Sequence, residues 1–534
     1  MTHTKTWVKI SILNLIALCL MLLLSSCLSL AASWQPTSTA TPTAPNLIIT
    51  ATAVTDTANL AAEQPLTVTN TPTTSTLTPT AKPPTPATTQ WSYYQIQSGD
   101  SLPAVATRFQ LSEQEPAFNK LKVENGYLPV GEILWLPEGT VDIAGIKPFM
   151  PDSEFIYSPS AVDFDVAAYL SLAGGFFASH QEYLRSSGWT SAADIIRRVA
   201  LENSINPRVL LSILEYETQS VFGQPAEDFN IEYVLGNEDF HRKGLYLQLS
   251  WLADQLSAGY YGWRGGTLME IQSSDGTMYR LSPYLNAGSV GLIYYYAKKH
   301  DMAQLTEYID PERGLPGLHA SMFGDPWPRA ARVEPLLPPG LSQPLMQLPF
   351  EAGKLWSYTS GPHPAWEKNG ALAALDFAPA SAESGCVPSK AWVTAVADGI
   401  VVRTGAGIVI QDIDPLPGQD SDGIEQTGWV ILYMHVEEHE RIEPGTRLKA
   451  GDRIGHPSCE GGPANGTHVH IARKFNGEWI LAGGPLPFIL DDWVAIAGDK
   501  PYEGTLENGS QIRTAHPNGS IHTQITRPEI IEAE

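Results

Sequence analysis

The spacing of apolar residues changes character once along this chain, and the change falls at a run of prolines. A helix face repeats every 3.6 residues and a strand face every two, so one stretch cannot satisfy both. Upstream, Ala193, Ile196, Val199 and Ala200 share one helix face. Pro207 suits the first turn of a second helix that carries Val209, Leu210, Leu211, Ile213 and Leu214. Gly244 to Leu256 and Gly291 to Ala297 continue the helical pattern. Residues 321–350 are rich in proline. Downstream, Trp392–Val402, Gly407–Gln411, Trp429–His435 and His468–Arg473 are β-branched or alternating, with Gly and Pro between them. Ile471 to Ile480 reads as a hairpin turning at Asn476-Gly477. The expectation is a multidomain chain: an α-helical domain over 150–340, an all-β antiparallel domain over 345–490, and a polar tail over 491–534 with no readable role.

The 534 residues allow two to four domains. Lys5 and Lys9 precede an apolar run from Ile10 to Leu24, the pattern of an export leader over residues 1–26. Leu24-Ser25-Ser26-Cys27 resembles the bacterial lipobox, which implies a lipidated Cys27 and a membrane anchor; a plain signal peptide is the alternative. Residues 27–90 are Thr, Ala and Pro with few charges, too poor in apolar surface to fold. As an extended linker they reach roughly 3 Å per residue. The net charge of −24 and the absence of a long basic run argue against nucleic acid as a partner. Of the 4 cysteines, Cys19 lies in the expected leader and Cys27 is the one that the lipobox resemblance implies is lipidated. Cys386 and Cys459 remain, either paired in an oxidising exterior or free and buried.

Residues 91–139 read as a small module. Tyr93–Gln97 is strand-like, and Asp100 in the Ser98–Leu102 turn suits a helix cap. Leu102, Val105, Ala106 and Phe109 fall on one helix face. A second helix is expected from Ser112 or Glu113 to Asn119, and Ile133–Pro137 closes with a strand. Gly99-Asp100-Ser101-Leu102, Ala106-x-Arg108-Phe109, Asn119, Leu128, Gly131 and Leu136-Pro137 resemble the LysM family. That resemblance implies a βααβ fold and binding of N-acetylglucosamine-containing glycans in a groove between the Gly99–Leu102 turn and the second helix.

In the helical region, Glu217-Thr218 and Asn286-Ala287-Gly288 loosely resemble the Glu-Ser and Asn-Ala-Gly of soluble lytic transglycosylases with a lysozyme-like fold. The resemblance implies that Glu217 protonates a glycosidic oxygen, which requires a carboxyl raised by burial. Glu215 stands two residues away and is not separable from it on sequence alone.

Histidine is concentrated in the β region: six of 13 lie between residues 363 and 470. His468 and His470 are two apart on a strand, so both imidazoles face one side. His363 sits in a Ser-Gly-Pro-His loop, Asp376 on a short apolar strand, and His435 at the end of another. These stretches, with Asp452-x-x-Gly455 and Gly466-Thr467-His468, resemble the lysostaphin-type zinc metallopeptidases, in their staphylolysin and β-lytic branch. The resemblance implies Zn²⁺ on His363, Asp376 and His470. It implies His468 as general base and His435 as orienting or oxyanion-stabilising partner, with the two roles exchangeable. Position 372, four before the aspartate, is Leu rather than the His many members carry. Two histidines and one aspartate leave a coordination position for water, the pattern of a catalytic rather than a structural zinc. His439 and His456 have no counterpart in that pattern.

The expected function is a membrane-tethered zinc endopeptidase cutting the peptide part of peptidoglycan. The alternatives are a non-catalytic wall-binding or amidase-activating lipoprotein, and a two-enzyme hydrolase that also uses Glu217.

Overall fold

The computed structural model describes residues 91–529 apart from 122, 124–125, 138–145, 382–383 and 415–420. The leader, Cys27 and the linker lie outside the described residues. Among the described residues no helix is long and apolar enough to cross a membrane.

The first module consists of β1 (Trp91–Gln95), α1 (Leu102–Phe109) and β2 (Ile133–Pro137), with β1 and β2 antiparallel. Tyr94, Val105, Phe109, Phe118, Leu134 and Leu136 fill its core. Ser101, not Asp100, caps α1, by accepting from the Ala104 amide. Asp100 turns inward and binds the Arg108 guanidinium at 2.6 Å and the Tyr94 hydroxyl at 2.6 Å. The second helix expected from Ser112 or Glu113 is reduced to turns and one 3₁₀ turn, Phe118–Lys120. Pro116 explains it, since proline has no N–H to donate and disfavours helical geometry in the residue before it.

The helical domain is built on α2 (Ala192–Asn203), α3 (Pro207–Thr218), α4 (Leu245–Arg264) and α5 (Ala287–Ala297). Ser191 caps α2 through the Asp194 amide at 3.1 Å. Asn206 caps α3 through the Arg208 amide at 3.0 Å, and Pro207 follows it in the first turn. Helices α4 and α5 meet at two glycines: a Cβ on Gly259 would lie 2.9 Å from the Gly291 Cα. That close approach buries Tyr260, Tyr295 and Tyr296 around the contact.

The main sheet contains β3 (Leu355–His363), β4 (Ala374–Pro379), β5 (Gly399–Gly405), β6 (Ile408–Asp412), β7 (Trp429–Met434), β8 (Arg447–Leu448), β9 (Val469–Phe475) and β10 (Gln524–Thr526). Their order is β8-β5-β6-β7-β9-β4-β3-β10, all antiparallel, and Glu478–Trp479 folds back on β9 through Asn476 and Gly477, both at positive φ. Alternation divides each strand between two cores. Val409, Ile431, Tyr433, Val469, Ile471, Leu375 and Phe377 pack with Phe350 and Trp356 on one face. On the other, Ile408, Ile410, Val430, Leu432, Met434, Ala374 and Ala472 join the same apolar cluster as α2, α3, α4 and α5. The proline-rich stretch thus changes the secondary structure without dividing the interior.

Two sequence expectations change here. The segment from 491 is folded: Ile489–Leu490, Trp493–Ala497, Gly504–Asn508 and Gln511–Thr514 form a four-stranded sheet, and β10 closes the edge of the main one. Trp493, Ala495, Leu506 and Ile525 are buried, so the few apolar residues in this polar sequence are its anchors. Second, the Gly99 turn, expected to border a glycan groove, is engaged from within. Arg264 at the end of α4 donates to the Ser98 carbonyl, to Asp152 at 2.9 Å and to Glu478 at 2.8 Å. A side chain on Gly99, at φ 77°, would run into that guanidinium. One buried cation therefore joins the first module, the helical domain and the sheet.

Candidate metal centre

Asp376 on β4 and His470 on β9 are register partners in the sheet, and His363 is the last residue of β3, paired with Ala374. His470 shares its sheet face with Ala472, and Asp376 with Ala374, by the period-two rule. The three side chains are 3%, 6% and 5% exposed for His363, Asp376 and His470. His363 Nε2 lies 3.0 Å from His470 Nδ1, and Asp376 Oδ1 lies 3.2 Å from each.

The second nitrogen of each ring sits against a backbone carbonyl. His363 Nδ1 is 2.8 Å from the Gly361 carbonyl and His470 Nε2 is 3.2 Å from that of Ala365. A nitrogen facing a carbonyl must be the one carrying hydrogen. Neutral rings then turn two lone pairs and a carboxylate oxygen toward one point, which is stable only with positive charge between them. A proton can serve two of the three atoms; a metal ion serves all three. Asp376 Oδ1 is a buried oxygen without a hydrogen-bond donor, a need that a cation held with the two rings would meet. The spacing suits a small tetrahedral ion, whose bonds of about 2.0–2.1 Å put donors roughly 3.3 Å apart.

The electrostatics agree. Burial alone would raise Asp376, but His363 and His468 outweigh it and hold the carboxyl well below its ordinary range. Burial would lower His363, and Asp376 reverses this and holds it above its ordinary value. His470 is lowered, chiefly by burial.

His435 and His468 stand beside this set, with ring centroids 4.4 Å apart. Both follow the same rule: His435 Nδ1 is 2.7 Å from the Glu460 carbonyl and His468 Nδ1 is 2.7 Å from that of Gly466. Each Nε2 is left as the working atom, and that of His468 is 3.7 Å from Asp376 Oδ2. Burial, then the neighbouring His468 and His470, push His435 down to about 3, so its ring is neutral. The Cys386–Cys459 disulfide braces the loops around this pair. Next to it, Thr467 donates its hydroxyl to the Val387 carbonyl at 2.6 Å, and the His468 amide donates to the Ser458 carbonyl at 3.3 Å.

His456 is held elsewhere, by Glu440 at 2.9 Å and the Ala391 carbonyl, and His439 is exposed. Glu217 is tied to Lys299 at 2.7 Å, just beyond the C-terminal end of α5. Asn286 stands at the opposite end of α5, where its side-chain amide donates to Asp152 and the Met150 carbonyl. The 11 residues of α5, roughly 16 Å, lie between these two ends, so the two parts of the glycosidase-like pattern sit at opposite ends of that helix.

The sequence reading missed one neighbour. Tyr502, at φ 74°, stacks on His363 with centroids 4.7 Å apart and 23° between planes. Its amide donates to the Pro362 carbonyl at 3.0 Å and its carbonyl accepts from the Gly361 amide at 2.8 Å. No motif marks it. Only the aromatic residue in a polar, turn-rich stretch was available as a signal.

Residues 148–336 match the family model described as LasA, N-terminal domain. Over 370 residues the chain is 25% identical to protease LasA of Pseudomonas aeruginosa strain UCBPP-PA14, covering 65% of this chain and 78% of that protein. The chain is homologous to protease LasA. The same protease from strain PAO1 matches over the same span with the same identity. Among solved structures, an M23 metalloprotease from the deep sea, pseudoalterin, is 20% identical, with 33% of this chain and 96% of that one covered and a TM-score of 0.26. The catalytic domain of lysostaphin from Staphylococcus simulans is 22% identical, with 24% and 87% covered and a TM-score of 0.17.

Proposed function

We propose that this chain is a zinc metalloendopeptidase that hydrolyses peptide bonds of bacterial peptidoglycan. The observation that carries the reading is the convergence of His363 Nε2, Asp376 Oδ1 and His470 Nδ1 within 3.0–3.2 Å, with their remaining ring nitrogens spent on carbonyls. Homology to a protease supports the class of reaction. Zinc held there supplies a Lewis acid that makes water acidic near neutral pH and polarises a carbonyl.

The proton chemistry falls to the other two rings. His468 accepts the proton of the attacking water at Nε2, and the Asp376 carboxylate nearby steadies the imidazolium that forms. The N–H gained there then holds the oxygen on which negative charge develops, and later returns the proton to the leaving amine. His435 stays neutral, because burial and two neighbouring imidazoles oppose its charge, and orients water as an acceptor through Nε2.

The peptidoglycan substrate, export, lipid attachment at Cys27 and glycan contact through the first module rest on the sequence. Purified protein is expected to release peptide fragments from cell-wall material, to stop with a chelator and to recover with zinc. Release that continues undiminished in His470→Ala would end this reading.

A further inference from the structure

The ten residues between ligand His363 and β4, which brings ligand Asp376, pack against the helical domain as well as the sheet. Ala365, Ala371 and Ala373 are buried in the apolar cluster that the helices share with one face of the sheet. The loop closes on itself through the Ala365 amide and the Ala371 carbonyl, 2.8 Å apart. At its tip it meets Asp254, a residue of α4 that is 2% exposed. Asp254 Oδ1 accepts from the Asn369 amide at 2.7 Å and the Lys368 amide at 3.1 Å. Its Oδ2 accepts from the Asn369 side chain at 2.6 Å and from Gln255 at 3.2 Å. A buried carboxylate is costly unless donors surround it, and three of these four donors belong to the loop. The same loop presents the Ala365 carbonyl that receives His470 Nε2 and so fixes which nitrogen of that ring faces the centre.

We propose that Asp254 is a positioning residue for the metal centre, acting from the helical domain through loop 364–373 on His363 and His470. The inference rests on the metal-site reading above. It makes the helical domain part of the ligand-orienting shell and not merely a neighbour of the sheet. Outer partners of this kind typically change metal affinity by about 10–100-fold when altered.

The test is zinc affinity of the full chain, by competition with a chelator, and the visible absorption of the cobalt-substituted protein. Asp254→Asn should weaken zinc by roughly tenfold and shift the cobalt bands. Asn369→Ala, at an exposed position, should weaken it by a few-fold, and the double variant should be no worse than Asp254→Asn alone. If Asp254→Asn does not fold, Asn369→Ala decides alone: weaker binding supports the proposal and unchanged binding overturns it. Variants that unfold more easily yet bind zinc as tightly, with unchanged cobalt bands, overturn it, because Asp254 is then structural only. A double variant whose loss is the product of the two single losses also overturns it. Native protein that binds no stoichiometric zinc removes the metal-site reading itself, and this proposal falls with it.

Discussion

Two clusters of potential cation ligands lie among the described residues, and they differ in what their lone pairs already do. One is His363, Asp376 and His470; the other is Asp412, Asp414 and Asp422. In the first, the outward nitrogens are occupied by carbonyls and the inward atoms face one another. In the second, backbone amides fill the carboxylates. Asp414 and Gly423 donate to Asp412, Trp429 donates to Asp414, and Ile424 donates to Asp422, at 2.8–3.1 Å. Proximity alone does not make a metal site. Acceptors left without donors do.

That contrast can be broken most sharply at His470. His470→Ala should cost more than about a hundredfold in zinc affinity, beyond what an outer partner costs, while Asp412→Asn should cost nothing measurable. Equal losses from both would erase the distinction. The disulfide serves the first cluster, whose flanking loops it joins across 73 residues. Cys459→Ser should lower stability by about 4 kcal/mol in denaturant unfolding, with activity lost before the fold.

The second cluster should announce itself through pH. Burial, with help from neighbouring carboxylates, holds Asp412 up at about 7 and Asp414 at about 6. The unfolded value is about 3.9, so the native chain keeps protons that the unfolded chain releases. That contribution to stability is complete below about pH 4 and is lost as pH rises through about 7. Asp412→Asn should flatten this slope, leaving the variant more stable than the native chain at pH 8 in thermal unfolding. Added calcium should leave both transitions in place, and a rise in the native one would contradict the contrast drawn here. The smallest effect is expected at Tyr502. Tyr502→Phe keeps the stacked ring on His363 and should behave as native. Tyr502→Leu should weaken zinc by a few-fold, consistent with an aromatic contact of about 1 kcal/mol.

The site was legible in the sequence to the extent that it is carried by short motifs. His468-x-His470 needed only the period of a strand, and Asp376 and His435 sat on apolar strands that the eye can follow. What was not legible comes from residues far apart in sequence. Asp254 lies more than a hundred positions before the loop it grips, and Tyr502 lies in a stretch whose composition resembles a tail. Pro116 is a visible signal against a helix over 112–119, because it has no N–H to donate. The shared interior also had a signal that period-two reasoning alone overlooks. Trp429–Met434 is apolar at every position, as a strand covered on both faces must be.

The common interior of helices and sheet carries a practical consequence for anyone trimming the protein. Cutting at the proline-rich stretch would strip the helices from Ile408, Ile410, Val430, Leu432 and Met434, all nearly solvent-free in the intact chain. A shortened fragment would emerge with a greasy wall on the side of its sheet that the helices now cover, prone to clumping. Poor behaviour of such a fragment would then say nothing about the intact chain from which it was carved.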